Sequence, residues 1–485
     1  MQLKQKAAKA IIWSATKIWG SYSLSFLVFL VLSRLLSPES FGLVALASMF
    51  TVFVNIFRNQ GFSEAIVQRD DLKTNHLDTA FWTGLLSGLL LMICTILGAE
   101  YIGKFFDEPR LAPVVSWLSL SFIFGSFSSI QEAVLRREFA FKSLAIRALL
   151  AAAIGGAVGI GMALNGYGVW SLVAQILVTD LVNVIVLWKV TKWRPGLTFS
   201  TAHFKELFTF GIGIAGSNLL DFFSRRSDQF LVGYFLGPTM LGYYTIAFRL
   251  LQTAVKFLTN ITNAVAFPVF SRLQNDRIRM RQAFYNVTQM TGLAAFPVFG
   301  GMAVLAPEII TAFFGEKWQP SIPVLQALAF MGIIYAISFF IGSIINAAGK
   351  PAWRFAVTAL FAVCNTVALL FIVKNGITAV AIAYTLLGYL LMPVSIWIVR
   401  RLITIDLKIF LKQFLAPLGG SILMVTAIWL LKAEIENVFI WQITLPIYVI
   451  SGGLLYLGFI HLTARSLFNQ IVSYARLVMP GARDM

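Results

Sequence analysis

Charge is scarce in this chain: only 12% of its 485 residues are Asp, Glu, Lys or Arg, about half the share of a soluble domain. That excludes an ordinary water-soluble globule. Cysteine is nearly absent. Cys94 and Cys364 both fall in apolar stretches far apart, so a disulfide framework is not expected. His76, His203 and His461 lie in loops or at a span end without metal-ligand spacing, which argues against a zinc site. No glycine-rich phosphate loop precedes a lysine, Gly349-Lys350-Pro351 lacks the P-loop spacing, and neither a nucleophile elbow nor HExxH occurs. No catalytic residue, metal or cofactor is therefore assigned. An ATP requirement would fall to another subunit.

What is plentiful is apolar surface. The chain is 58% hydrophobic with mean hydropathy +0.81, and apolar runs of about 20 residues, the length that crosses a bilayer, recur throughout. The expected fold is an all-α polytopic membrane protein. Fourteen helices are expected, over 11–33, 41–60, 78–99, 111–131, 143–163, 168–188, 207–234, 240–265, 287–313, 321–347, 355–373, 377–399, 410–431 and 438–461. The first follows Met1–Lys9 and is long enough to be a retained span rather than a cleaved signal.

The net charge of +17 would suit a nucleic-acid binder, but its distribution does not. With the N-terminus inside, cytoplasmic segments hold 26 of the 38 Lys and Arg, among them Arg136, Arg137, Lys142 and Arg147. External loops hold six: Arg34, Lys104, Arg110, Lys317, Lys374 and Lys432. This asymmetry places both termini in the cytoplasm, with some affinity for anionic membrane lipids.

A repeat is legible. Leu35-Leu36-Ser37-Pro38-Glu39-Ser40-Phe41-Gly42 returns 200 residues later as Phe235-Leu236-Gly237-Pro238-Thr239-Met240-Leu241-Gly242, and Asn165-Gly166 is echoed by Asn375-Gly376. Six helices per half give both halves the same orientation, a parallel pseudo-twofold repeat. The expected organisation is an N-lobe (1–190), a cytoplasmic linker (191–206), a C-lobe (207–400), and two further helices with a tail (401–485).

Six cations remain inside spans: Lys17, Arg58, Arg225, Arg226, Arg249 and Lys256. Burying such a charge costs roughly 2.5–3.5 kcal/mol on insertion scales, so each marks a candidate site. Helical spacing groups them into stripes. The seventh segment aligns Asn218, Asp221, Arg225 and Asp228; the eighth aligns Thr245, Arg249, Gln252, Lys256 and Asn260. The first aligns Ser14, Lys17, Ser21 and Ser25; the second aligns Ser48, Thr51, Asn55 and Arg58. Adding 200 to Ser21 and Ser25 lands on Asp221 and Arg225, so equivalent faces are polar in both halves. The simplest geometry is a central cavity with six cations against Asp221 and Asp228, suited to a phosphate or pyrophosphate.

Plainer roles compete. Asp221 and Arg225 are spaced to neutralise each other, Lys17 and Arg58 are within snorkelling reach of the interface, and Arg226 lies about 100° off the stripe. Asp180 and Glu308 are isolated acids, each fit either for proton or sodium coupling or for a structural hydrogen bond. Trp13, Trp19 and Tyr22 suit sugar stacking or simple interfacial anchoring.

Several segments in order, LSPESFGLVALA (36–47), GFSEAIVQR (61–69), GPTMLGYY (237–244), FPVFSRLQND (267–276), FGEKWQPSIPVLQAL (314–328) and INAAGKPAW (345–353), carry a resemblance. The chain resembles the polysaccharide transporter (Wzx-like) branch of the multidrug/oligosaccharidyl-lipid/polysaccharide flippase superfamily, and within it the colanic-acid-type and teichuronic-acid-type exporters. The resemblance implies alternating access and flipping of undecaprenyl-diphosphate-linked oligosaccharide from the cytoplasmic to the outer leaflet of the bacterial inner membrane, for exopolysaccharide, capsule, O-antigen or teichuronic acid synthesis. It also implies work beside a polysaccharide polymerase and chain-length machinery. Lipid II flippases of that superfamily use cavity arginines for the pyrophosphate, a role that location alone offers to Arg225, Arg249 and Lys256. Relatives often carry an acid near Asn59; its absence leaves ion coupling there without a residue. A cation-coupled multidrug exporter would want an acid-rich cavity, and a membrane glycosyltransferase or polymerase would want a larger external loop than Glu100–Arg110. A scaffold would leave the buried cations unexplained.

Overall fold

The structure, a computed structural model, describes residues 20–59, 61–69, 71–272, 276–435, 441–465 and 467. Among them the chain is helical, with no strand. Eleven helices are long and apolar enough to cross a membrane, and the chain is a multi-pass membrane protein. Gly20–Leu35 (α1) is apolar but shorter. Thr201–Arg272 (α9) is not among the eleven either; its first part packs Asp221, Arg225, Arg226 and Asp228 within eight residues. These two elements lie where the other three helices were expected, but among the described residues neither has the length and apolarity of a crossing helix.

The first compact unit runs to Thr245. It holds α1, α2 (Pro38–Asn59), α3 (Phe62–Gln68), α4 (Thr74–Phe105), α5 (Leu111–Leu118), α6 (Leu120–Arg137), α7 (Phe141–Leu164), α8 (Val169–Val190) and the first limb of α9. Proline opens α2, where its missing N–H costs nothing. Small residues let α7 and α8 approach: a Cβ on Gly155 would come 2.0 Å from Thr179 Oγ1, and one on Gly159 2.9 Å from Gln175 Cβ. A core of Phe62, Ile66, Phe81 and Ile130 joins α3, α4 and α6. The segment between α8 and α9 is pinned to α4, with Trp82 Nε1 donating to Gly196 O (2.7 Å) and Thr198 Oγ1 to Asp78 Oδ2 (2.7 Å).

At Gly237 (φ 82°, ψ 177°) α9 breaks into two limbs, as the repeat predicts. The two repeat turns meet each other. A Cβ on Gly42 would lie 1.7 Å from the carbonyl oxygen of Pro238, and one on Gly242 would lie 2.0 Å from that of Pro38. Each glycine is the space the other turn's proline occupies.

The second unit, from Ile246 on, holds the second limb of α9, α10 (Arg277–Val304), α11 (Ala306–Phe313), α12 (Ile322–Ala347), α13 (Pro351–Ile372), α14 (Ile377–Ile403), α15 (Leu407–Lys412), α16 (Leu415–Ile435) and α17 (Trp441–Thr463). Phe284 and Phe410 stack face to face at 5.6 Å inside a core shared by α10, α12 and α14. The last two long helices are packed onto α10, where Tyr456 Oη donates to Leu293 O at 2.7 Å.

Candidate functional site

Within the first unit a cavity of about 510 Å³ opens among α2, α3, α6, α7 and α8, a volume in the range of small-molecule sites. Its floor is ionic. Arg58, at the end of α2, is only 9% exposed; its guanidinium lies against Gly125, where a Cβ would come within 1.8 Å of Nη1, and donates to Phe122 O at 3.3 Å. Asp180 of α8 lies in its field and accepts from Ser121 Oγ at 2.7 Å. Glu132 of α6 takes Arg136 Nη2 at 2.6 Å and Arg147 Nη1 at 2.7 Å, which fastens α6 to α7. Arg58, Arg136 and Arg147 thus oppose Glu64, Glu132 and Asp180, and the cavity is charge-balanced. Such pairing is what makes buried charge tolerable in a low-dielectric interior.

Asn55 and Arg58, aligned on one stripe in the sequence, are brought together here with Asp180, which the sequence left isolated. Spacing arguments missed Glu132, Arg147 and Asn183. Ser121, Gly125, Ser128, Glu132 and Arg136 recur at i, i+4, i+7, i+11 and i+15 on α6, the same signal that singled out the other four helices. Arg147, counted among the cytoplasmic charges, is a buried member of an interhelical pair.

The polar stripe on the first limb of α9 changes character along its length. Asn218 and Arg225 are exposed and Asp221 is half-buried. Asp221 and Arg225 form no ion pair. Asp228 is fully buried and accepts from Tyr244 Oη at 2.8 Å, across the Gly237 break. Arg226, off the stripe, donates to Gln229 Oε1 at 2.7 Å. Phe53 of α2 packs on Phe222 and Phe223, with centroids 5.5 and 6.1 Å apart, so α2 presents aromatics to α9 and its polar residues to the cavity.

In the second unit, Arg249 and Lys256 are exposed on α9, with Gln252 half-buried between them. Glu308 is not isolated: Lys432 Nζ donates to its Oε2 at 2.8 Å and to Val304 O at 2.7 Å, tying α16 to α11. Asp180 likewise has its serine. Ser21 and Ser25 are half-buried on α1. Ser14 and Lys17, with Trp13 and Trp19, lie outside the described residues, and Asn260 is described in its backbone alone. Among the described residues no group of His, Cys, Asp and Glu is arranged to hold a metal.

A helical, multi-pass chain with partnered ions inside one unit and exposed cations along α9 is a polytopic membrane protein. Residues 31–323 match the family described as "Polysaccharide biosynthesis protein", and the chain belongs to that family. It is 28% identical to the succinoglycan biosynthesis transport protein ExoT of Rhizobium meliloti, over 97% of this chain and 96% of that one. It is 26% identical to the lipopolysaccharide biosynthesis protein WzxC of Escherichia coli, over 81% and 80%. Its fold is shared with the lipid II flippase MurJ in an inward closed conformation, at TM-score 0.77 and 18% identity, over 94% of this chain and 99% of that one.

Proposed function

We propose that the chain is a flippase that carries undecaprenyl-diphosphate-linked oligosaccharide from the cytoplasmic to the outer leaflet of a bacterial inner membrane by alternating access. Its relatives over nearly full length include a transport protein of polysaccharide biosynthesis. The observation that carries the reading is Arg225: a cation exposed on α9, with no acidic partner among the described residues. A structural charge would be paired, whereas a cation kept open is available to a phosphate. Arg225, then Arg249 and Lys256 on the second limb, meet the diphosphate in turn; Lys17 and Arg58 serve as cytoplasmic-side cations and Arg226 as a positioning residue. Both termini are cytoplasmic, and a polymerase with its chain-length partner consumes the flipped unit. The chain itself performs no bond chemistry.

Transport against a gradient needs a coupling ion. Asp228, Asp180 and Glu308 already hold Tyr244, Ser121 and Lys432, so Asp221 is the acid left to take up a proton or sodium. Abolishing the proton gradient and the sodium gradient separately in vesicles identifies the ion, and persistence of flipping without either rejects coupling. For the main reading, Arg225→Gln at equal expression is expected to remove surface polysaccharide and accumulate the lipid-linked precursor inside. Full export by the Arg225→Gln/Arg249→Gln/Lys256→Gln triple variant would refute it.

A further inference from the structure

The charge-balanced cavity of the first unit calls for a different ligand chemistry from that of the α9 cations. An anion would seek net positive charge and a cation net negative; three of each sign favour neither. The ions that form the floor are already held: Glu132 by two arginines, Asp180 by Ser121, and Arg58 over Gly125 against a carbonyl. Beside them, Asn55 on α2, Gln68 on α3 and Asn183 on α8 line the same space, and none makes a hydrogen bond with a described residue. A carboxamide both donates and accepts, so three unspent ones from separate helices match vicinal hydroxyls better than any ion. Fixed carboxylates and guanidinia beside them add strong acceptors and donors without net charge.

We propose that this cavity is a saccharide subsite: it holds one or two sugar units of the lipid-linked glycan through Asn55, Gln68 and Asn183, and it sets which glycan is accepted. The proposal rests on the flippase reading and adds the part of the substrate that the α9 cations do not recognise. The cavity runs along α6 from Ser121 to Arg136, and its Arg136 end is the one read as cytoplasmic, where the glycan is first presented.

The test uses the full chain in lipid nanodiscs and two probes. One is the undecaprenyl-diphosphate oligosaccharide that accumulates in host cells lacking this chain; the other is bare undecaprenyl diphosphate. The wild type is expected to bind the glycan-bearing lipid about tenfold more tightly, the gain expected of a few neutral hydrogen bonds. In the Gln68→Leu/Asn183→Leu variant the ratio is expected to fall to about one, while Asn183→Gln, which keeps the carboxamide, retains most of it. The thermal midpoint should not move, since neither side chain bonds to the chain, and an unshifted midpoint rules out misfolding as the cause. Equal binding of the two lipids by the wild type, or an unchanged ratio in the double variant, overturns the saccharide subsite alone. Binding of neither lipid overturns the flippase reading and the subsite with it.

Discussion

The cavity and the first limb of α9 sit in the same unit and are both rich in charge, yet they treat it in opposite ways. In the cavity every buried ion is placed against something of opposite sign or polarity: Arg147 and Arg136 against Glu132, Arg58 near Asp180, and Asp180 on Ser121. On α9 Arg225 is exposed, and Asp221, one turn away, does not close on it. Paired ions hold helices together; under the proposed function an open cation is there to meet a passing phosphate. Location in a membrane helix alone does not separate the two. Partnership does.

Breaking the paired side should have the largest effect on stability. Arg147→Leu leaves Glu132 with the exposed Arg136 alone and is expected to destabilise the chain by about 3 kcal/mol, whereas joint replacement of Glu132 and Arg147 by apolar residues costs far less. Thermal unfolding of single and double variants measures this, and a double variant that lost as much as the single would mean that the stranded Glu132 charge is not the cause. Next come the repeat turns. Gly42→Ala or Gly242→Ala pushes a methyl into a proline carbonyl and should cost roughly 1–3 kcal/mol of strain, seen as a lowered midpoint and impaired transport. On the open side, Arg225→Gln should change stability by less than about 0.5 kcal/mol while stopping export. A variant that lost both together would erase the distinction between the regions.

The smallest effect is expected outside the membrane. Arg110 donates to Glu108 at 2.7 and 2.9 Å and to Glu39 at 2.6 Å. Its hydrogen bonds hold the Glu108 carboxyl below the ordinary glutamate range, despite the opposing effect of burial. A carboxyl with a lowered folded pKa contributes stability above its unfolded pKa and loses it as pH falls through the folded value. Acidification below the usual glutamate range should therefore weaken the chain only slightly, by about 0.3 kcal/mol, because Arg110 is solvent-screened. Arg110→Gln should flatten that acid limb; an unchanged limb would assign it elsewhere.

Much of the fold could be read from the chain. The break between the two limbs of α9 at Gly237 followed from the copied turn, and the apolar runs marked the long helices. What could not be read was which charges meet. Glu132 and Arg147 sit fifteen residues apart on different helices, and only the antiparallel return of α7 along α6 brings them together. Arg147 also resembled one more basic residue at a cytoplasmic end. The stripe on α6 was legible but is diluted by Ser128 and Gly125, which carry no charge to attract notice. Glu308 and Lys432, 124 positions apart, show the same limit.

The meeting of the two repeat turns has a consequence for how such a chain diverges. Duplication ordinarily frees one copy to drift while the other keeps the old role. Here each copy's glycine accommodates the other copy's proline, so neither turn can accept a side chain at that position without a compensating shift in its twin. The two halves of the sequence repeat are mutually constrained at that point, and substitutions there should be inherited as matched pairs.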